Sequence, residues 1–270
     1  MKLCIVITLY RRPRYTKELF RALSCCYNFD YFDLLISCDF NGEYRNACEQ
    51  VYQEALKFID QHKRFGQVLL HNPRLGIDLN KLHAIPMALS TYKADGFILL
   101  EDDTIPSPDA LNFFATNLLR FRDDPEIFAI CGYNRIPGDN LGKEDEGASF
   151  EARSDPYGIY RYQGFKPWGW AMTTPWWESL FAHDAKTYRK DTGEEMNGRF
   201  DWWLSWGAQS EKRYCIRPVL ARMQSIGGEE GEHTPSAAWH KENEYNRWGA
   251  WDLDLPDNGL FTWEGQYKAL

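Results

Sequence analysis

The chain has 270 residues, 44% of them hydrophobic, enough for a sizeable core in one domain or one and a half. Its net charge of −8 argues against a generic nucleic-acid surface, which would be basic, while leaving room for a local basic pocket for phosphates. No apolar run reaches the roughly 20 residues of a membrane-spanning helix, and the stretch from Met1 to Thr8 is too soon interrupted to be a signal peptide.

Aromatic residues make up 16% of the chain, with 11 Trp, a residue that is costly to hide completely and common at binding surfaces. Stacking on sugar or base rings is one use for it. The seven cysteines show no CxxC pair and no zinc spacing, which fits buried free thiols in a reducing compartment. The expected location is the cytoplasm, with peripheral attachment to a membrane left open.

In chain order, Leu3–Thr8 reads as a strand, Tyr15–Cys26 as a helix after the Arg11-Arg12-Pro13 break, and Asp33–Cys38 as a second strand ending at Asp39. Ala47–Gln61 is a helix, Gln67–His71 a strand, Leu79–Thr91 a helix, Gly96–Leu100 a strand, Pro108–Arg122 a helix and Ile127–Gly132 a strand. This alternation predicts an α/β fold with a mostly parallel sheet. Ligands of such sheets lie beyond the carboxyl ends of the strands. Three loops qualify: Thr8–Arg12, Asp39–Gly42 and Glu101–Asp103.

The second half reads differently. Asp139–Ser154 is a polar, acidic loop. Pro175–His183 and the Trp-rich Phe200–Ser210 are helices, and Tyr214–Met223 is a strand. Ile226–Thr234 is a loop rich in Gly and acids, and Ala237–Leu270 has no clear periodicity. There is no internal repeat or linker, so the expectation is one domain over 1–270, with halves 1–135 and 136–270.

The densest chemistry is Glu101-Asp102-Asp103, three carboxylates at the end of an apolar strand, followed by the turn residues Pro106 and Pro108. Adjacent acids repel, and a hard divalent ion such as Mg²⁺ or Mn²⁺ would relieve them; the alternative is a solvated strand terminus. Asp39 beside Asn41-Gly42 could accept from a base N–H or a ribose hydroxyl, or could simply cap a turn. Arg11, Arg12, Arg14, Arg74 and Lys81 bring positive charge near strand ends, where phosphates would be natural partners; singly, each is more often a solvated charge. Gly76 permits a tight turn before the helix carrying Lys81. Asp201, flanked by Phe200 and Trp202, suits a general base through partial desolvation, or a helix N-terminal acid that complements the dipole. His233 could be a metal ligand, a phosphate donor or an exposed loop residue. Trp168, Trp170, Trp176 and Trp177 are core or an aromatic platform.

Together these pieces resemble the glycosyltransferases of the A fold, nucleotide-diphospho-sugar transferases similar to family 2 and to N-acetylglucosaminyltransferase I. The likeness runs from Leu3 to Thr234. Ile5 to Pro13 resembles the first strand and nucleotide loop, which includes Thr8, Tyr10 and Arg11. Ser37-Cys38-Asp39 resembles the base-contacting acid, and Asn72 to Gly76 with Asn80-Lys81 the segment approaching the diphosphate. Leu100 to Asp103 with Pro106-Ser107 is similar to the DxD-type motif, and Gly132-Tyr133-Asn134 to a short strand-end motif. Trp168-Gly169-Trp170-Ala171 resembles the acceptor-side turn, Asp201 the catalytic base, and Ser225 to Thr234 the closing loop. Asp201 departs from some relatives in being followed by Trp202 rather than a second acid, and the tail after Thr234 has no counterpart.

The resemblance implies an α/β/α sandwich with a Trp-rich, acceptor-side carboxy-terminal part. It implies a metal-dependent, inverting transfer from a nucleotide-sugar, with UDP preferred, to a glycan or lipid-linked saccharide, and no nucleic-acid partner. Mn²⁺ or Mg²⁺ would be held mainly by Asp103, with His233 as a further ligand. Asp102 and Glu101 would lie on ribose or donor sugar, Asp201 would take the acceptor proton, and a Trp of Trp168–Trp170 would stack on a sugar. Two rivals remain: a non-catalytic sugar-nucleotide-binding module, and a sugar-1-phosphate nucleotidyltransferase, which would carry a Gly-rich signature where this chain has Thr8 to Pro13.

Overall fold

The structure is a computed structural model that describes residues 1–62, 66–134, 157–179, 200–201, 203–205, 212–230 and 234–243, and the backbone of 268–269. Strand β1 (Leu3–Leu9) is buried along its whole length and lies between β2 (Asp33–Asp39) and β4 (Gly96–Glu101), parallel to both. Continuous apolar runs such as Leu-Cys-Ile-Val-Ile belong to strands covered on both faces. Strand β3 (Gly66–His71) adds to β2 and completes one edge.

The connecting helices are α1 (Pro13–Ser24), α2 (Arg45–His62), α3 (Ile77–Tyr92) and α4 (Ala110–Phe121). Pro13 occupies the first turn of α1, where a missing N–H is harmless. Helix α3 packs on β1 and β2, and α2 on β2 and β3. Beyond β4 the sheet continues through β8 (Trp170–Thr173), β6 (Ile127–Cys131), β9 (Tyr214–Pro218), β7 (Gly158–Tyr162) and β11 (Lys268–Ala269), giving the order β11-β7-β9-β6-β8-β4-β1-β2-β3. Strand β8 runs antiparallel to both β4 and β6, while β6 and β9 are parallel. The sheet is thus mostly parallel, as the alternation predicted.

Several expectations needed correction. The apolar stretch Tyr214–Met223 is two strands in two sheets: β9, and β10 (Met223–Ser225), which pairs antiparallel with β5 (Thr104–Pro106). Between the two strands Arg222 turns inward to Asp109 at 2.7 Å, both groups fully buried. The proline turn after the acidic triplet is itself β5. Strands β7 and β8 had no counterpart in the sequence reading, and the carboxy-terminal tail contains α5 (Ala237–Asn243). Residues 174–179 are helical, as are 200–201 and 203–205; the rest of those two expected helices and the acidic loop Asp139–Ser154 lie outside the described residues.

All seven cysteines are free, and all but Cys25 are buried. Among the described residues no helix is long and apolar enough to cross a membrane.

Candidate active site

A cleft opens at the carboxyl ends of β1, β2 and β4, lined among others by Thr8, Tyr10, Arg12, Asp39, Asp103, Trp168, Asp201 and Gly227. Asp102 and Asp103 occupy the two-residue turn between β4 and β5. Thr104 fixes that turn: its Oγ1 donates to the Glu101 carbonyl at 2.8 Å and accepts the Glu101 N–H at 2.9 Å.

Arg12, at the N-terminus of α1, reaches across to both acids. Its Nε donates to Asp102 Oδ2 at 3.0 Å, its Nη2 to Asp102 Oδ1, and its Nη1 to Asp103 Oδ2 at 2.8 Å. This is the two-pronged geometry a guanidinium makes with a carboxylate. Burial raises the Asp102 pKa, with the Arg12 charge acting against that. Burial would lower the Arg12 pKa, but Asp102 and Asp103 more than reverse it. From sequence Arg12 is one of several basic residues near strand ends; its place directly before Pro13, where strand becomes helix, is the signal that sets it apart.

Asp39 is 3% exposed and accepts the N–H of Leu75 on Oδ1 and of Gly76 on Oδ2, each at 2.8 Å. Its visible work is to anchor the loop into α3. Gly76 caps that helix at φ +86°, in the left-handed region that favours glycine. Above this loop Arg74 stacks on the Tyr10 ring at 4.3 Å, Arg11 stacks on Tyr44 at 4.1 Å, and the Tyr10 hydroxyl accepts from Asn41. Of this cluster Tyr10, Arg11 and Arg74 line the cleft.

Lys81 does not reach the cleft surface. It is 1% exposed, beneath the floor, with Nζ 3.0 Å from Glu101 Oε1 and 3.8 Å from Asp201 Oδ1. Burial pushes Glu101 up to about 7; Lys81 opposes that rise, and Asp201 and Asp103 add to it. Asp201 lines the cleft, and its Oδ1 is buried without a hydrogen bond.

On the opposite wall Trp168 packs against Tyr133 at 4.6 Å and faces the cleft. Gly169 takes φ +71°, and a Cβ there would fall 2.6 Å from Met223 Cγ, so the turn requires glycine. Trp170, expected beside a sugar, is instead fully buried in β8 among Phe97, Phe165, Trp177 and Phe200. Strand pairing on both sides turns it into the core. Trp176 and Trp177 are core as well.

The segment after β10 crosses the acidic turn. Ile226 N–H donates to the Asp103 carbonyl at 2.9 Å, and the Gly227 backbone lies so close that a Cβ would stand 2.5 Å from Asp103 Oδ2. Arg14 binds Glu229 at 2.6 Å, and Ser225 meets the buried His240 of α5 at 2.9 Å. His233 lies outside the described residues.

Among the described residues no group of three or more His, Cys, Asp or Glu is arranged to hold a metal. Asp102 is closed off by the Arg12 fork, while Asp103 stays partly exposed at the cleft. That donor set does not make an all-protein cage. It fits a hard cation that takes one carboxylate from the protein and its other oxygens from phosphates and water, the usual habit of Mg²⁺.

The GNT-I family model matches residues 30–240. The chain belongs to the GNT-I family. The match covers most of the sheet, the acidic turn, Asp201 and the segment that crosses the turn. Among solved structures, the GNT-I family chain is similar to the mannosyltransferase PcManGT from Pyrobaculum calidifontis, in complex with GDP-Man and Mn²⁺, at 10% identity and TM-score 0.47, over 82% of this chain and 57% of that one. It is also similar to S. aureus TarS 1–349 at 15% identity and TM-score 0.47, over 81% of this chain and 60% of that one. The chain thus spans less than two thirds of either.

Proposed function

We propose that this GNT-I family chain transfers a sugar, with inversion, from a nucleoside-diphosphate sugar to a hydroxyl of a glycan or lipid-linked saccharide, aided by a divalent cation. The observation that carries the reading is the shared cleft: Asp201, the Asp102-Asp103 turn and the Arg12 guanidinium all face it at the carboxyl ends of the strands.

Arg11 and Arg74 give the cleft of an otherwise acidic chain the positive charge a diphosphate needs, while Arg12 is committed to the acidic turn. Tyr10, on the cleft, offers a ring for the nucleoside. A Mn²⁺ or Mg²⁺ ion, held by Asp103 together with the diphosphate, would supply Lewis-acid stabilisation of the leaving group. Asp201 takes the proton from the acceptor hydroxyl as it attacks, and the inward-facing Oδ1 leaves the other oxygen for that contact. Trp168 gives the acceptor a stacking face. The strap at Ile226 and Gly227 packs against Asp103 and leaves it partly exposed at the cleft. Because the oxygens of Asp39 already accept from Leu75 and Gly76, the reading names the donor class, and the base is left to a ligand panel; uridine is tested first.

The test is a thermal-shift panel of UDP-, GDP- and dTDP-sugars with and without Mn²⁺, followed by an assay for nucleoside diphosphate release. A metal-dependent shift with turnover supports the enzyme. A shift without turnover, whatever the acceptor saccharide, overturns it in favour of a binding module.

A further inference from the structure

We propose that Lys81 is a positioning residue for Asp201, the buried counter-charge that holds one carboxylate oxygen inward and keeps the side chain aimed into the cleft; this rests on the reading of Asp201 as the base. A buried ammonium needs compensation, and one carboxylate suffices for charge balance. Glu101 already gives that at 3.0 Å. Lys81 nevertheless lies between two acids on different elements, with Asp201 Oδ1 at 3.8 Å and the Phe200 ring at 5.5 Å. Asp78, on the same helix, adds a weaker negative contribution.

The geometry on the Asp201 side is informative. Oδ1 is buried and has no hydrogen bond, so the nearby ammonium is what makes its burial tolerable. The Asp201 side chain as a whole keeps 40% of its surface exposed. One oxygen is therefore held inward by charge, and the carboxylate still opens to the cleft. At 3.8 Å the ammonium is beyond hydrogen-bond reach. It orients the carboxylate without occupying the lone pairs a base must use. A lysine serving the donor phosphates would instead show at the cleft surface, where Lys81 does not.

The test uses the full chain and the donor that turns over in the panel. Lys81→Met should lower kcat about tenfold or more, within the range a general base contributes, while Kd for that donor's nucleoside diphosphate with Mn²⁺ changes less than twofold. Lys81→Arg should recover part of kcat. Because Lys81→Met leaves Glu101 unpaired and could unfold the chain, Glu101→Gln and the double variant Lys81→Met/Glu101→Gln are measured as a cycle. The proposal expects the double variant to fall about tenfold or more below Glu101→Gln. If the double variant equals Glu101→Gln, Lys81 only neutralises Glu101 and the proposal is overturned; it is overturned too if Lys81→Met weakens binding of that nucleoside diphosphate and spares kcat. If the wild-type chain turns over no donor at all, the underlying reading of the site fails first, and Lys81 falls with it.

Discussion

Arg12 grips Asp102 through both carboxylate oxygens, with Nε on Oδ2 at 3.0 Å and Nη2 on Oδ1, while Nη1 holds Asp103. The pair joins the first residues of α1 to the turn after β4, so the acidic motif is fixed from outside its own strand. Breaking a buried pair by removing one partner costs about 3–5 kcal/mol, because the other charge is left uncompensated. Arg12→Met should therefore lower unfolding stability on that scale in urea titrations. Adding Asp102→Asn should return part of the loss. No loss in Arg12→Met would mean that the guanidinium does not hold the motif.

Trp168 and Trp170 flank one glycine but do different work. Trp170→Ala should cost about 3–5 kcal/mol of stability, the usual penalty for emptying a buried aromatic site. Trp168→Ala should leave stability within about 1 kcal/mol and raise KM for the acceptor saccharide. Chemical denaturation and acceptor kinetics on the two variants separate core from platform.

The Trp pair illustrates what the sequence could and could not show. The runs ending at Leu9, Asp39 and Glu101 were legible because buried parallel strands carry unbroken apolar stretches between helices with clear periodicity. The cleft followed from where those strands end. Strand β8 was hidden because its four residues follow directly on a glycine turn. The stretch from Tyr214 to Met223 looked continuous because nothing local reveals that Arg222 turns in to Asp109, more than a hundred residues away. Lys81 read as a phosphate-seeking cation for the same reason: its burial depends on Glu101 and Asp201, neither of them near it in sequence. Long-range ion pairs redirected side chains whose residue types had suggested contact with solvent or ligand.

His240 should make the strap sensitive to acid. Burial holds its pKa below the ordinary value of about 6.5, with Asp103 acting against that. A lowered folded pKa means that the neutral ring is favoured in the fold. The stabilisation is complete above about pH 6.5 and is lost as pH falls through the lowered value. Glu101, pushed up to about 7, works in the opposite sense over the same range, because its folded form takes up a proton more readily. The measurement is therefore a difference. The Tm of the wild-type chain minus that of His240→Asn should shrink between pH 7 and pH 5. A constant difference would show that His240 does not titrate with the strap.

The contact between Gly227 and Asp103 ties the strap to the acidic turn. A Cβ on Gly227 would lie 2.5 Å from Asp103 Oδ2, so Gly227→Ala must lift the strap or turn the carboxylate. Either change disturbs Asp103, the carboxylate of the turn that the proposed mechanism assigns to the cation. Gly227→Ala should weaken Mn²⁺-dependent UDP binding about tenfold, the consequence of displacing a single charged contact, and Asp103→Ala should abolish the metal dependence. Asp201→Asn is the control on the other side of the cleft: it should keep Mn²⁺-dependent UDP binding and cut transfer by about 10²–10⁴-fold, as expected for loss of a general base. Calorimetric titration of UDP with and without Mn²⁺, set against turnover for the three variants, places each residue. If Gly227→Ala binds UDP and Mn²⁺ as the wild type does, the strap covers the acidic turn without shaping it, and Asp103 meets the ion independently of closure.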